Sequence, residues 1–195
     1  MHFVNIHTHR PTGRHIEPSA AGIHPWYAAD THSEPDGTLS DDAQAVGETG
    51  LDFACSVPHE LQEKVFREQL AKAAELRKPV ILHCVRAFEP TMKILNDYHL
   101  RAVIFHGFIG SPQQAARAIA KGCCISFGES AFRSPKTLEA MKMTPLQNLF
   151  LETDDSQITI EEVYARAAEV KGVSVAELQA STYENYKRIF QSDEQ

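Results

Sequence analysis

Seven residues of this chain have the types and spacing that can do metal-assisted chemistry: His7, His9, His24, Glu48, His83, His106 and Asp154. Imidazole and carboxylate side chains are costly to bury unpaired, and they are the donors that Zn²⁺, Mn²⁺ and related ions prefer. One histidine at a strand end is more often a satisfied polar residue than a ligand, and an HxH pair alone is a weak signal. Here, however, each residue falls at or near the C-terminal end of a predicted strand. Four histidines and two carboxylates (His7, His9, His83, His106, Glu48 and Asp154) exceed the needs of one tetrahedral ion. Two divalent ions bridged by a carboxylate would use the whole set. Glu48, on a middle strand, suits the bridge. Asp154 suits the double role of ligand and acceptor of a proton from the attacking water.

The elements that must position these residues are legible as apolar runs, each followed by a helix with start signals, the pattern of an α/β fold with a parallel sheet. Strands are predicted at 3–9, 18–25, 45–52, 79–83, 102–106, 123–127 and 148–154. On the first, alternation puts Val4, Ile6 and Thr8 on one side and Phe3, Asn5, His7 and His9 on the other. Helices are predicted from Ser56 (with Pro58 in the first turn) to Lys78-Pro79, around Pro90–Asn96, from Ser111-Pro112 to Gly122, and from Ser134-Pro135 through Met141. Two more follow: Thr159 with Glu162 forms a capping box for a helix ending at Gly172, and Ser174 with Glu177 opens another. Leu61, Val65, Phe66, Leu70, Ala73 and Leu76 form the apolar stripe of the first helix. In a (β/α) barrel the strand ends converge on one face, where the active site lies. His2, His15, His32, His59 and His99 fall outside the pattern and are expected at the surface.

At 195 residues, 43% hydrophobic and 23% charged, the chain is expected to form one soluble domain over residues 1–195. A net charge of −7 argues against broad attachment to DNA or anionic membranes, although bound cations can supply positive charge locally. No apolar run approaches the ~18 residues needed to span a membrane. The N-terminus lacks the pattern of a signal peptide. Cys55, Cys84, Cys123 and Cys124 show no CxxC spacing and read as reduced thiols of a cytoplasmic protein.

With these residues placed, the chain resembles the TatD-type metal-dependent hydrolases and deoxyribonucleases, within the amidohydrolase-like barrels. The resemblance rests on His7-Thr-His9, Gly22-Ile-His-Pro25, Gly47-Glu-Thr-Gly-Leu-Asp52, Pro79-Val-Ile-Leu-His83, His106-Gly-Phe-Ile-Gly-Ser111 and Leu151-Glu-Thr-Asp154, in the family's order. Softer matches are Gln62, Phe66 and Gln69, then Gly122 with Ile125-Ser126, and Asn185 with Ile189-Phe190. The resemblance implies a two-metal site from His7, His9, Glu48, His83, His106 and Asp154, supported by Zn²⁺, Mn²⁺ or Mg²⁺. It also implies Asp154 as the water-activating base, His24 as a contact to substrate phosphate, and phosphodiester hydrolysis on DNA or nucleotides.

The departures fall around the ligands. Only fourteen residues separate His9 from His24, where the family has a helix, a strand and another helix, so the chain reads as a barrel lacking about one β/α unit. That fits its length against the roughly 250 residues common for the architecture. Arg86 is displaced by one position from the family's Ser-Arg-Asp, Arg10 follows the HxH, and the segment after Asp154 is short. Arg10 and Arg86, with Arg14 and Arg133, lie in predicted loops from which a guanidinium can meet phosphate oxygens. Two other functions stay open at this stage: hydrolysis of an amide or lactone on the same metal site, and metal binding without turnover. A second subunit covering the gap is a further expectation.

Overall fold

The computed structural model describes residues 2–29 and 42–191; His32 lies outside them. Contacts gather the chain into two compact units, Ser19–Ile104, and Met1–Pro18 together with Phe105–Gln195.

Within the unit Ser19–Ile104, strands β1 (Ala20–Ala21), β2 (Ala45–Asp52) and β3 (Val80–Val85) pair in parallel and in chain order. Strand β2 is buried on both faces except at Glu48, as a strand covered by helices must be. Helix α1 (His59–Glu75) returns the chain from β2 to β3, and α2 (Phe88–Ile94) follows β3. Val65, Phe66, Leu70 and Ala73 bury the predicted stripe of α1, whereas Leu61 is exposed. The helix starts at His59, with Pro58 at its cap, three residues beyond Ser56. The predicted strand 18–25 shrinks to β1: Pro25, with fixed φ and no N–H, opens a 3₁₀ turn over Pro25–Tyr27 that His24 caps.

Two glycines of β2 are required by close approach. A Cβ on Gly47 (φ +157°) would lie 2.6 Å from the Ile81 carbonyl oxygen, and one on Gly50 (φ +145°) 2.0 Å from that of His83. The β2–β3 register shifts between Val46 and Thr49, the stretch that carries Glu48 and a cis Gly47–Glu48 peptide. Such an irregularity beside a site re-aims a side chain. Two glutamines of α1 fasten the neighbouring loops. Buried Gln62 accepts from the Asp52 N–H (2.7 Å) and donates to the Asp52 carbonyl (2.9 Å). Gln69 does the same for Ile23, at 2.7 and 2.9 Å.

Strand β4 (Val103–Phe105) leads into the other unit. There β5 (Cys124–Phe127) pairs in parallel with β6 (Leu149–Leu151). The N-terminal segment lies along β6 and its extension: Ile6 N–H donates to Leu151 O (3.1 Å), and Thr8 bridges to Asp154. Val4 bridges to Ile16, so residues 3–9 are extended and doubly flanked, yet too irregular to form one continuous strand. Helices α3 (Pro112–Ala120), α4 (Pro135–Met143), α5 (Ile160–Lys171) and α6 (Val175–Phe190) complete this unit. Their starts follow the sequence signals: Ser111 with Gln114 and Thr159 with Glu162 form reciprocal capping boxes, and Ser134 and Ser174 cap α4 and α6. Gly172, at φ +67°, ends α5 in the left-handed conformation. The core centres on Ile6, Phe105, Phe127, Phe150 and Tyr164, all fully buried, with the Tyr164 hydroxyl donating to Val4 O at 2.9 Å.

Candidate metal centre

In the unit formed by the two chain ends, alternation along residues 3–9 brings His7 and His9 to the same side. Their ring centroids lie 4.9 Å apart, and the His7 ring is 4.6 Å from that of His106. Both meet Asp154, with His7 Nε2 3.7 Å and His9 Nε2 3.4 Å from Asp154 Oδ1. Asp154 adopts φ +51°, a conformation uncommon outside glycine and locally tolerated by aspartate. It is held there by two backbone bonds, Asp154 N–H to His7 O (3.1 Å) and His9 N–H to Asp154 O (3.3 Å). Strained backbone of this kind gathers at functional sites, where the surroundings over-determine it. His106, Glu152 and Asp154 also form a compact group, with one candidate ligand atom from each within 4.8 Å of the others.

In the unit Ser19–Ile104, His24, Glu48 and His83 form a second such group. Glu48 Oε2 lies 3.8 Å from His24 Nε2 and 3.5 Å from His83 Nδ1, and the two imidazole nitrogens are 3.2 Å apart. These residues are largely buried, with Glu48 only 8% exposed.

The spacings in both groups suit a cation. Two donor atoms, each about 2.1 Å from one tetrahedral ion, lie roughly 3.4 Å apart. The carboxylate–imidazole separations of 3.4–3.8 Å are close to that. Imidazole nitrogen mixed with carboxylate oxygen is also the donor set that zinc, manganese and similar ions accept.

Three further residues contact these groups and escaped the sequence reading of site residues: Asp52, Glu152 and Trp26. Asp52 Oδ2 accepts from the Trp26 indole N–H (2.7 Å) and sits 3.3 Å from His83 Nε2, while its Oδ1 accepts from the Ala54 N–H (2.8 Å). Burial alone would push the Asp52 carboxyl up, but the bonds from Trp26, Ala54 and His83 outweigh it and hold it below its ordinary value. Glu152 Oε1 accepts from the Gly107 N–H (2.6 Å) and lies 3.4 Å from His106 Nδ1. Glu152 is fully buried; the penalty of burial is outweighed by the bond from His106 and by the charges of His106 and His7, so its pKa too is lowered. A signal existed for each carboxylate. Glu152 shares the side of Asp154 two residues on, and Asp52 shares that of Glu48 four residues back, both inside motifs quoted above.

The arginines are a different matter. Arg10, Arg14, Arg86 and Arg133 are all exposed. Arg133 is paired with Glu129, and Arg86, three residues past His83, has φ +52°. Among the remaining histidines, His2, His59 and His99 are exposed as expected; His15 instead packs edge-on against Phe3 and pairs with Glu161 at 3.3 Å. No helix among the described residues is long and apolar enough to cross a membrane.

Comparison with known proteins agrees with this geometry. The family model described as TatD related DNase matches residues 14–191. A Danio rerio protein of the tatdn3 type is 31% identical over 171 residues, covering 78% of this chain and 64% of that one. The 3'-5' ssDNA/RNA exonuclease TatD of Erwinia tasmaniensis is 31% identical over 200 residues, covering 88% and 77%. The metal-dependent hydrolase YabD of Bacillus subtilis is 31% identical over 195 residues, covering 88% and 76%. The chain therefore spans roughly two thirds to three quarters of these relatives. Among solved structures, the TatD homologue YjjV of Escherichia coli K12 superposes with a TM-score of 0.77 at 28% identity, over 89% of this chain and 76% of that one. A TatD-family hydrolase of Entamoeba histolytica has the same TM-score at 17% identity, over 91% and 76%, a likeness of fold. The fold is α/β of the (β/α)-barrel type, shortened relative to these structures as the sequence implied. By motif, family model and fold together, the chain belongs to the TatD family.

Proposed function

We propose that the chain is a metal-dependent hydrolase that cleaves phosphodiester bonds in DNA or nucleotides. The observation that carries this reading is the 3.4–3.8 Å spacing of imidazole nitrogens and carboxylate oxygens in two groups at strand ends. The names of relatives support it: one is a single-strand exonuclease and another a metal-dependent hydrolase. In this proposal His7, His9, Glu48, His83, His106 and Asp154 hold two divalent cations, Zn²⁺, Mn²⁺ or Mg²⁺. Such ions polarise a phosphoryl oxygen and make water more acidic. Asp154, partly exposed, takes the proton from the attacking water. His24 hydrogen-bonds a phosphate oxygen, and Arg10 and Arg86, exposed on their loops, neutralise charge on the substrate backbone. The surplus of acid over base keeps contact with DNA transient. A single domain over residues 1–195 and a cytoplasmic setting belong to the same proposal; four cysteines without a bridge fit the latter.

The test is metal analysis of the purified protein with hydrolysis of bis(p-nitrophenyl) phosphate and single-stranded DNA. Replacing Asp154→Asn should lower turnover by about 10²–10⁴-fold, the usual worth of a general base. Phosphodiester cleavage that survives this change at full rate refutes the role of Asp154, and failure to bind Mn²⁺ or Zn²⁺ refutes the site.

A further inference from the structure

Trp26 and Tyr27 stand side by side on the 3₁₀ turn after His24, and both are left in solvent, at 54% and 60% exposure. Exposed aromatic residues are ordinary, so exposure alone says nothing. What sets Trp26 apart is how it is held. Water could satisfy its indole N–H, yet that group donates to Asp52 Oδ2 at 2.7 Å, on a residue only 4% exposed. Asp52 is itself fixed, since its Oδ1 accepts from the Ala54 N–H and Gln62 of α1 pairs with both of its backbone groups. The Trp26 backbone N–H is tied to His24 Nδ1 at 3.2 Å. The residue is thus locked at its backbone and at its indole nitrogen while more than half of it meets solvent. An exposed ring fixed in this way loses little further freedom when a ligand settles on it.

Both rings border the candidate site. The Trp26 centroid lies 4.7 Å from that of His24 and 6.5 Å from that of His83, at interplanar angles of 81° and 73°. The Tyr27 centroid lies 6.3 Å from that of His24, at 63°. These contacts are edge-on, and among the described residues no ring lies parallel to either. Phe53, next to Asp52, shows the arrangement they leave unmade: His59 stacks on it at 3.6 Å and 8°.

Size and charge decide the occupant. An aromatic side chain offers roughly 150–250 Å². Two of them, partly exposed, fall far below the roughly 1,200–2,000 Å² of a stable protein interface. They match a flat ring instead. A net charge of −7 gives little general pull on a polyanion, so telling a nucleic-acid strand from another phosphodiester falls to the bases. We propose, resting on the reading of this face as a phosphodiester site, that Trp26 and Tyr27 stack an unpaired nucleobase of the substrate strand. Trp26 is the preset platform, Asp52 the positioning residue that fixes it, and Tyr27 the second ring. Every base has a π-face, so the site is indifferent to sequence, and a base within a duplex must first leave its stack to reach it. Single strands and frayed ends are therefore preferred over duplex interiors, and strands without bases are held poorly.

Trp26 is the single tryptophan of the chain, so intrinsic indole emission reports on it alone. The full chain, kept in chelator so that nothing is cut, is titrated with a short single-stranded oligothymidylate. An abasic deoxyribose-phosphate strand of equal length serves as competitor. The expected result is saturable quenching by oligothymidylate, with the abasic strand competing about 5–150-fold more weakly, the usual worth of one stacked base. Tyr27→Ala, a change at an exposed position that leaves the reporter in place, should narrow that gap and raise KM for oligothymidylate once Mn²⁺ is added. Tyr27→Phe, which keeps a ring, should restore both. A gap unchanged by Tyr27→Ala removes Tyr27 from the site. Equal competition by the abasic strand, or no quenching at all, overturns the proposal, and that measurement needs no variant to fold. A protein that cleaves both strands equally well keeps the phosphodiester reading and loses this inference. One that holds the base-bearing strand selectively but cleaves neither keeps the stacking site and loses the hydrolase reading.

Discussion

Asp154 asks something of its backbone as well as of its carboxylate. Its left-handed φ turns the chain sharply after the Glu152–Asp154 run, and the backbone bonds to His7 and His9 keep that turn while the side chain faces both imidazoles. The residue type was legible from its place at a strand end; the conformation was not, because no local turn signal marks it. Gly50 shows the converse. Its identity is dictated by the His83 carbonyl across the sheet, a contact 33 residues away that only pairing reveals. Gly50→Ala should therefore push β3 away at the residue that carries His83, and Zn²⁺ titration should show at least a tenfold loss of affinity or the chain should fail to fold. Cys123 offers a prediction in pH. Burial, with the neighbouring Cys124, raises its thiol from 9.0 to about 12. The thiolate is the reactive form. Native protein should thus leave Cys123 unalkylated by iodoacetamide at pH 9, where the unfolded chain is half ionised, and react only as pH climbs toward 12. Peptide mass spectrometry checks it.

Among the elements, α1 does most to set the site. Its two buried amides, seven residues apart and so on one helical face, each pair with both backbone groups of one residue: Asp52 at the end of β2 and Ile23 just before His24. The sequence shows these glutamines inside an apolar stripe without revealing what they fasten. Gln69→Ala should leave a backbone N–H and carbonyl of Ile23 unpaired, costing about 1–3 kcal/mol in urea denaturation. It should also raise KM for phosphodiesters through a loosened His24. An unchanged KM with reduced stability would confine Gln69 to a structural role. Helix starts were legible wherever a serine or threonine stands before the first turn, as at Ser111, Ser134, Thr159 and Ser174. The start of α1 was misread because Ser56 looks like a cap, whereas the fixed φ of Pro58 supplies the turn instead. Strand 18–25 is shorter than expected for a related reason, since the apolar run persists through Ile23 but Pro25 cannot continue a ladder.

For the molecule as a whole, the candidate ligand residues were easier to pick out in the sequence than the groups that hold them. Metal-binding residue types announce themselves at strand ends, while the carboxylates behind them look like ordinary motif positions until their partners are known. If the clusters bind cations, loading must stabilise the fold by linkage. Free Zn²⁺ at a hundredfold excess over its Kd is worth about 2.7 kcal/mol per site. For a chain of this size that corresponds to a Tm roughly 5–11 °C higher than in chelator-treated protein. Scanning calorimetry of the two forms measures it, and equal Tm values would contradict a folded-state cation site.

The pairing of the N-terminal segment with the extension of β6 carries a consequence for synthesis. Thr8, between the two leading histidines, meets Asp154 across 146 positions of sequence. Synthesis runs from the N-terminal side, so His7 and His9 are made well ahead of Asp154 and stay without that anchor until the extension of β6 has left the ribosome. The imidazole pair of a nascent chain therefore meets its carboxylate only after the elements between them have emerged.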